Sequence, residues 1–161
     1  MNQRPQLGLH ARYGGYALIT GAARGIGQAF ARYLAEDGFD LLLVDRDADE
    51  CRALAANLGR THGVDARALI CDLGDPGLEA RAKGWAEEYD VGLLVNNAGI
   101  SPLDPFLEIP LKAHLETLDI NCRAVLVMTH VFGRSMARKG RGGILIVSSA
   151  SALSGSPYFC H

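Results

Sequence analysis

Five short, almost uninterrupted apolar runs alternate with helix-patterned segments along this chain, and that alternation constrains its fold more than any other feature. The runs are Tyr16–Thr20 (YALIT), Leu41–Val44 (LLLV), Ala66–Cys71, Val91–Val95 and Ile144–Val147. A strand that is apolar at nearly every position, rather than at alternate ones, needs cover on both faces. Strands separated by helices instead of tight turns are joined by right-handed crossovers and lie parallel. The pattern predicts an α/β fold: a doubly wound parallel sheet with helices on both sides.

The segments between the runs carry helix signals. Ile26, Ala29, Phe30, Tyr33 and Leu34 recur at helical spacing and predict one apolar stripe, with Gly38 as a left-handed terminator. Asp47 and Glu50 have capping-box spacing ahead of a stripe of Cys51, Leu54, Ala55 and Leu58, which Gly59 would close. Asp75 and Pro76 mark a further helix start, with Leu78, Ala82, Trp85, Ala86 and Tyr89 on its inner face. A long helix is expected from about Leu111 to Lys139, with polar Asn121 inside it. Residues 1–15 read as a polar lead-in and 16–161 as one domain. The last stretch, SALSGSPYFCH, is loop-like, and so apolar a fifth strand expects a further neighbour. The sheet therefore reads as C-terminally incomplete.

Charge and cysteine usage narrow the function classes. The formal net charge is −2 and no basic run marks a nucleic-acid footprint. The opening MNQRPQLGLHARYGG holds no signal-type apolar stretch, and no later run reaches membrane-spanning length. A cytoplasmic protein without membrane or nucleic-acid partners is expected. Cys51, Cys71, Cys122 and Cys160 are scattered, without a CxxC pair or a histidine at ligand spacing. Buried thiols are expected, rather than a metal site or disulfides.

The strongest local motif is Thr20-Gly21-Ala22-Ala23-Arg24-Gly25-Ile26-Gly27, between the first strand and the first helix. Glycines there allow a tight turn and let backbone N–H groups approach a pyrophosphate, while the helix N-terminus adds unpaired donors and partial positive charge. An ordinary glycine-rich turn is the alternative. Asp45, at the end of the second strand, supports the nucleotide reading, since a carboxylate there can accept hydrogen bonds from the adenosine ribose hydroxyls. It would also repel a 2′-phosphate, which favours NAD. Arg24 and Arg46 argue for NADP if they face that phosphate, and are solvated surface charge if they do not. The balance tips toward NAD.

The spacing Gly21…Gly25…Gly27 departs from the common dinucleotide fingerprint and resembles the TGxxxGxG pattern of the short-chain dehydrogenase/reductase family. Asn96-Asn97-Ala98-Gly99 looks like that family's NNAG motif, and Asp72, followed by Leu73, is similar to its adenine-contacting Asp. Asn121 resembles its active-site Asn, and Ser148-Ser149 its catalytic serine motif, with Ser149 in the catalytic register. Taken singly, Asn96 and Asn97 could satisfy backbone groups at a strand end, Asn121 could be a cap or kink residue, and the serines could cap the next element. In order along the chain, the matches are specific.

The resemblance implies a Rossmann-type NAD(P)-dependent oxidoreductase that moves hydride between nicotinamide and the carbonyl or alcohol carbon of a small molecule, with a homo-oligomer possible for a full-length form. It implies cofactor contacts from Thr20, Gly21, Arg24, Gly25, Ile26, Gly27, Asp45, Arg46, Asp72, Leu73, Asn97, Ala98 and Gly99, and catalytic roles for Ser149 and Asn121. The family also uses a Tyr-x-x-x-Lys pair for proton transfer. The register from Ser149 places that tyrosine just beyond His161, and Tyr158 falls too early to replace it. A catalytically inactive nucleotide-binding fragment, or an interaction protein lacking the Tyr/Lys pair, is thus the alternative reading of these residues.

Overall fold

The computed structural model describes residues 8–150; Tyr158, Cys160 and the loop-like stretch beginning at Ser151 lie outside the described residues. A short helix α1 (Leu9–Tyr13) leads into β1 (Tyr16–Thr20), α2 (Gly25–Glu36), β2 (Asp40–Asp45), α3 (Ala48–His62) and β3 (Ala66–Ile70). There follow α4 (Leu78–Glu88), β4 (Val91–Asn96), α5 (Leu111–Leu118), a π-helical turn over Asp119–Ala124, α6 (Val125–Lys139) and β5 (Gly143–Ile146). The strands pair in the order β3-β2-β1-β4-β5, every pair parallel. The apolar runs are thus the strands expected, in a doubly wound sheet.

The sheet's two faces follow from the period-two alternation of strand side chains. Ala17, Ile19, Leu41, Leu43, Leu93 and Val95 point to one face, where they meet Ala31 and Leu34 of α2 and Leu54 and Leu58 of α3. Leu18, Leu42, Val44 and Leu94 point to the other, against Leu78 and Ala82 of α4 and Met128 and Phe132 of α6. The central strands β1, β2 and β4 are buried on both faces, which is why their sequences lack polar alternation. Leu9 and Tyr13 of α1 pack against the α2 side. The edge strand β5 leaves Ile144, Leu145 and Ile146 exposed. Among the described residues, no helix is long and apolar enough to cross a membrane.

Several local expectations need correcting. The buried stripe of α2 is Gly27, Ala31, Leu34 and Ala35, while Ile26, Ala29 and Tyr33 are exposed. Gly27, Ala31 and Ala35 let the helix backbone approach the sheet closely, and Leu34, with half-buried Phe30, fills the remaining space as expected. Helix α3 keeps its Asp47 cap, whose carboxylate accepts from the Glu50 N–H at 3.4 Å, and its predicted stripe. It continues through Gly59 to His62 and ends at Gly63, whose left-handed conformation closes it. Asp75 caps a turn ahead of α4, which begins only at Leu78. The expected long helix does run from Leu111 to Lys139, as α5, the π turn around Asn121 and α6 in unbroken succession. Cys51 and Cys71 are buried as expected, but Cys122 is exposed. Burial pushes the Cys51 thiol up to about 11.

At the N-terminal end of the sheet, Asp90 gathers Lys139 and Arg141 from the end of α6 and beyond, and Arg141 also donates to the Tyr13 carbonyl. The Lys139 hydrogen bond, reinforced by Arg141, holds the Asp90 carboxyl below the usual carboxylate range. A depressed carboxylate stabilises the fold above its unfolded pKa, about 3.9, and that contribution is lost as pH falls through the folded value. The group is half exposed, so solvent screening limits the effect to roughly 0.5–1 kcal/mol. Asp90→Asn should therefore lower the urea-unfolding free energy by about that much at pH 7, with the gap closing below about pH 4. A gap that persists at pH 3 contradicts the ionic account.

Candidate functional site

Strand connections run from β1 outward to β2 and β3, and then return across to β4, so the chain reverses direction between β1 and β4. Open parallel sheets form a crevice outside the carboxyl ends of the strands at such a point. Here it is a cleft of about 470 Å³. The β1–α2 loop supplies Gly21, Ala23, Arg24 and Ile26 to its lining; the end of β2 supplies Asp45, Arg46 and Asp47. Cys71, Asp72 and Leu73 enter after β3, Asn97 to Ile100 after β4, and Ile120 from the π turn. Of the expected cofactor positions, all line the cleft except Thr20, Gly25 and Gly27.

Those three shape the cleft. Thr20 is buried; its hydroxyl donates to the Val95 carbonyl at 3.4 Å and accepts the N–H groups of Asn97 and Ala98 at 3.0 and 3.1 Å. The Asn97 amide donates back to the carbonyls of Thr20 and Gly21 at 3.0 and 3.1 Å. The turns after β1 and β4 are thus sewn together, and Asn97 does satisfy backbone groups at a strand end. Gly27 sits inside this seam: a Cβ there would lie 2.1 Å from the Gly21 carbonyl oxygen and 2.6 Å from the Asn97 amide nitrogen. Gly25 differs. Its φ is +56°, and a Cβ built on it meets nothing within 4 Å. It opens α2, whose N-terminus carries no side-chain cap. The first turn of that helix therefore presents unfilled donors and partial positive charge beside open space.

Asp45 has a second use that spacing did not disclose. Its carboxylate accepts the N–H of Ala23 at 2.9 Å and of Asp47 at 3.0 Å, so it holds the glycine-rich loop to the end of β2. Each oxygen keeps further acceptor capacity. Arg24 lies across the cleft mouth with its guanidinium on Asp47 at 2.6 Å and near Glu50 at 3.8 Å. Arg46 is exposed on the lining. Asp72 accepts the Gly74 N–H at 2.8 Å, which shapes the turn after β3.

The two expected catalytic residues stand apart from this lining. Asn121 turns its side chain to the backbone of Ile100, donating to the carbonyl at 2.8 Å and accepting the N–H at 2.9 Å. It braces the loop after β4 from the π turn. Ser149 is exposed just past β5, on the same carboxyl side of the sheet. Sequence reasoning missed Ala23, Asp47, Cys71, Ile100 and Ile120 as cleft residues. Ile100 and Ile120 adjoin recognised motifs and could have been found by adjacency; Cys71 carries no chemical signal.

The family model for short chain dehydrogenases matches residues 15–161. The 7beta-hydroxysteroid dehydrogenase of Collinsella aerofaciens is 28% identical over 152 residues, covering 94% of this chain and 58% of that protein. The D-threitol dehydrogenase of Mycolicibacterium smegmatis is 38% identical over 141 residues, covering 86% of this chain and 54% of that one. A short-chain dehydrogenase from Sphingobium yanoikuyae, solved in complex with NADPH, superposes with a TM-score of 0.83 at 31% identity, covering 86% of this chain and 55% of that one. The chain spans about half the length of the curated relatives it matches. The parallel sheet, the glycine-rich turn stitched to the loop after β4, and the match across nearly every described residue agree: this chain belongs to the short chain dehydrogenase family.

Proposed function

We propose that this chain carries the nucleotide-binding chemistry of an NAD(P)-dependent oxidoreductase acting on the carbonyl or alcohol group of a small molecule, in the cytoplasm. One observation carries the reading: the uncapped N-terminus of α2, with open space in front of Gly25, faces the cleft at the reversal between β1 and β4. The residues fit a dinucleotide. Backbone donors of the Gly21–Gly27 turn suit a pyrophosphate, and Thr20 and Gly27 keep that turn in place. Asp45 accepts from the ribose hydroxyls with its remaining lone pairs. Asp72 and Leu73 wall the adenine side; Asn97, Ala98 and Gly99 wall the opposite side. When bound, a nicotinamide nucleotide supplies or takes up the hydride.

The reacting end draws on Ser149, which orients and polarises the substrate oxygen, and on Asn121, which holds the adjoining loop through Ile100. The relatives' names support a small alcohol or carbonyl substrate, since both a hydroxysteroid and D-threitol bear hydroxyl groups. For the choice of cofactor we favour NAD. Asp45 opposes a 2′-phosphate, and Arg24 is already paired with Asp47 and Glu50, which reduces the positive charge on offer.

Two outcomes test this reading. Gly25→Val places a branched side chain in the open space before the helix and should weaken binding of NADH in calorimetric titration by at least about tenfold, or 1.4 kcal/mol. Its left-handed backbone costs a further ~1–2 kcal/mol of stability, so circular dichroism must show the variant folded. Unchanged affinity in a folded variant removes the α2 N-terminus from the site. Asp45→Ala should weaken NAD binding and shift the NAD-to-NADP affinity ratio toward NADP by about tenfold. It also frees the Ala23 N–H, so NAD should lose more than NADP gains. A ratio that stays fixed places the adenosine ribose elsewhere.

A further inference from the structure

We propose that Arg123 is a positioning residue for the adenine side of the cleft, tying the loop after β3 to the same helical turn that braces the loop after β4; this rests on the nucleotide reading above. One guanidinium nitrogen of Arg123 donates to the carbonyls of Gly74 at 2.8 Å, Asp75 at 3.3 Å and Leu73 at 3.5 Å. Its Nε donates to Asp119 at 2.7 Å, which fixes the fork in place. Three consecutive carbonyls converging on one cation give the loop a single conformation, and they come from the residues directly after Asp72. Leu73 and Asp72 line the cleft, so the grip on their neighbours sets the position of that wall.

The π turn makes this grip part of a larger clamp. Asn121 holds Ile100 by both its N–H and its carbonyl, while Arg123, two residues on, holds the loop around Gly74. Ile120, between Asp119 and Asn121, reaches the cleft itself. One helical turn thus fastens the walls on both sides, and the local widening of a π turn is a common device at functional sites. Lysine cannot reproduce it in full, because an ammonium is a point donor, whereas the guanidinium fork serves Asp119 and the carbonyls from separate nitrogens.

The test uses AMP and ADP-ribose as probes, titrated by calorimetry into wild type, Arg123→Gln and Arg123→Lys, alongside amide hydrogen exchange. The side chain is about one-third exposed, so loss of its charge-assisted bonds should weaken AMP binding by roughly tenfold. Exchange at Gly74 and Asp75 should quicken in Arg123→Gln while Leu18 of β1 and Leu94 of β4 stay protected. Arg123→Lys should recover part of both effects. Wild-type AMP affinity together with unchanged exchange at Gly74 and Asp75 in Arg123→Gln overturns the proposal. Lost affinity accompanied by lost protection throughout β1 and β4 also overturns it, since Arg123 would then be a general stability element. Wild type that binds neither probe overturns the nucleotide reading itself, and that result is read without any Arg123 variant.

Discussion

The site depends on the seam between the turns after β1 and β4. Thr20 and Asn97 exchange hydrogen bonds across it, and Gly27 leaves room for it. Both partners are short polar side chains at the ends of buried parallel strands, where the last backbone groups of each strand lose their ladder partners. By satisfying one another they fix the two turns as one surface. Without the seam, the sheet could still pack its two apolar faces, but the cleft at the reversal would have no defined wall. Stability and site are thus separable here: the leucine-rich strands hold the sheet, and a few polar contacts at its carboxyl edge shape the crevice.

The charge pattern around the crevice follows the same economy. Asp45 positions the glycine-rich turn through the Ala23 and Asp47 N–H groups and still presents lone pairs outward. Asp47 caps α3 and also pairs with Arg24. Each acidic residue at the mouth therefore has a structural partner and a face toward the cleft. This is why a single substitution there is expected to change loop order and ligand preference together, and why binding must be measured beside folding.

Much of the fold was legible because strands buried on both faces write themselves as continuous apolar runs, and because the turn after β1 needs glycine where few other residues fit. The inward face of α2 is legible only in part, through Leu34 and half-buried Phe30, for a related reason. Gly27 and Ala31 register weakly as hydrophobic, yet their small size is what lets the helix lie on the sheet. The end of α3 was misplaced because Gly59 is tolerated inside the helix, and only the left-handed Gly63 closes it. Only the polar Asn121, readable as a kink residue, hints at the π turn: DINCRA contains neither proline nor glycine, and the loops that Asn121 and Arg123 bond to lie far away in the chain. Among site residues, Asp45 is legible from its place at the end of β2, but its hold on Ala23 cannot be seen without the folded loop. Arg123 offers only its i,i+4 spacing from Asp119 as a local signal; the carbonyls it grips around Gly74 are far away in the chain.

A nicotinamide dinucleotide is proposed to lie in the cleft between the glycine-rich turn and the loops after β2, β3 and β4. Backbone amide chemical-shift mapping of the 161-residue chain during titration with NADH tests it most directly. Perturbations should concentrate at Gly21 to Gly27, Asp45 and Arg46, Asp72 and Leu73, and Asn97 to Gly99, with the exposed edge of β5 and the Asp90 cluster unmoved. Saturable shifts centred on any other surface, with the Gly21–Gly27 amides unchanged, would contradict it.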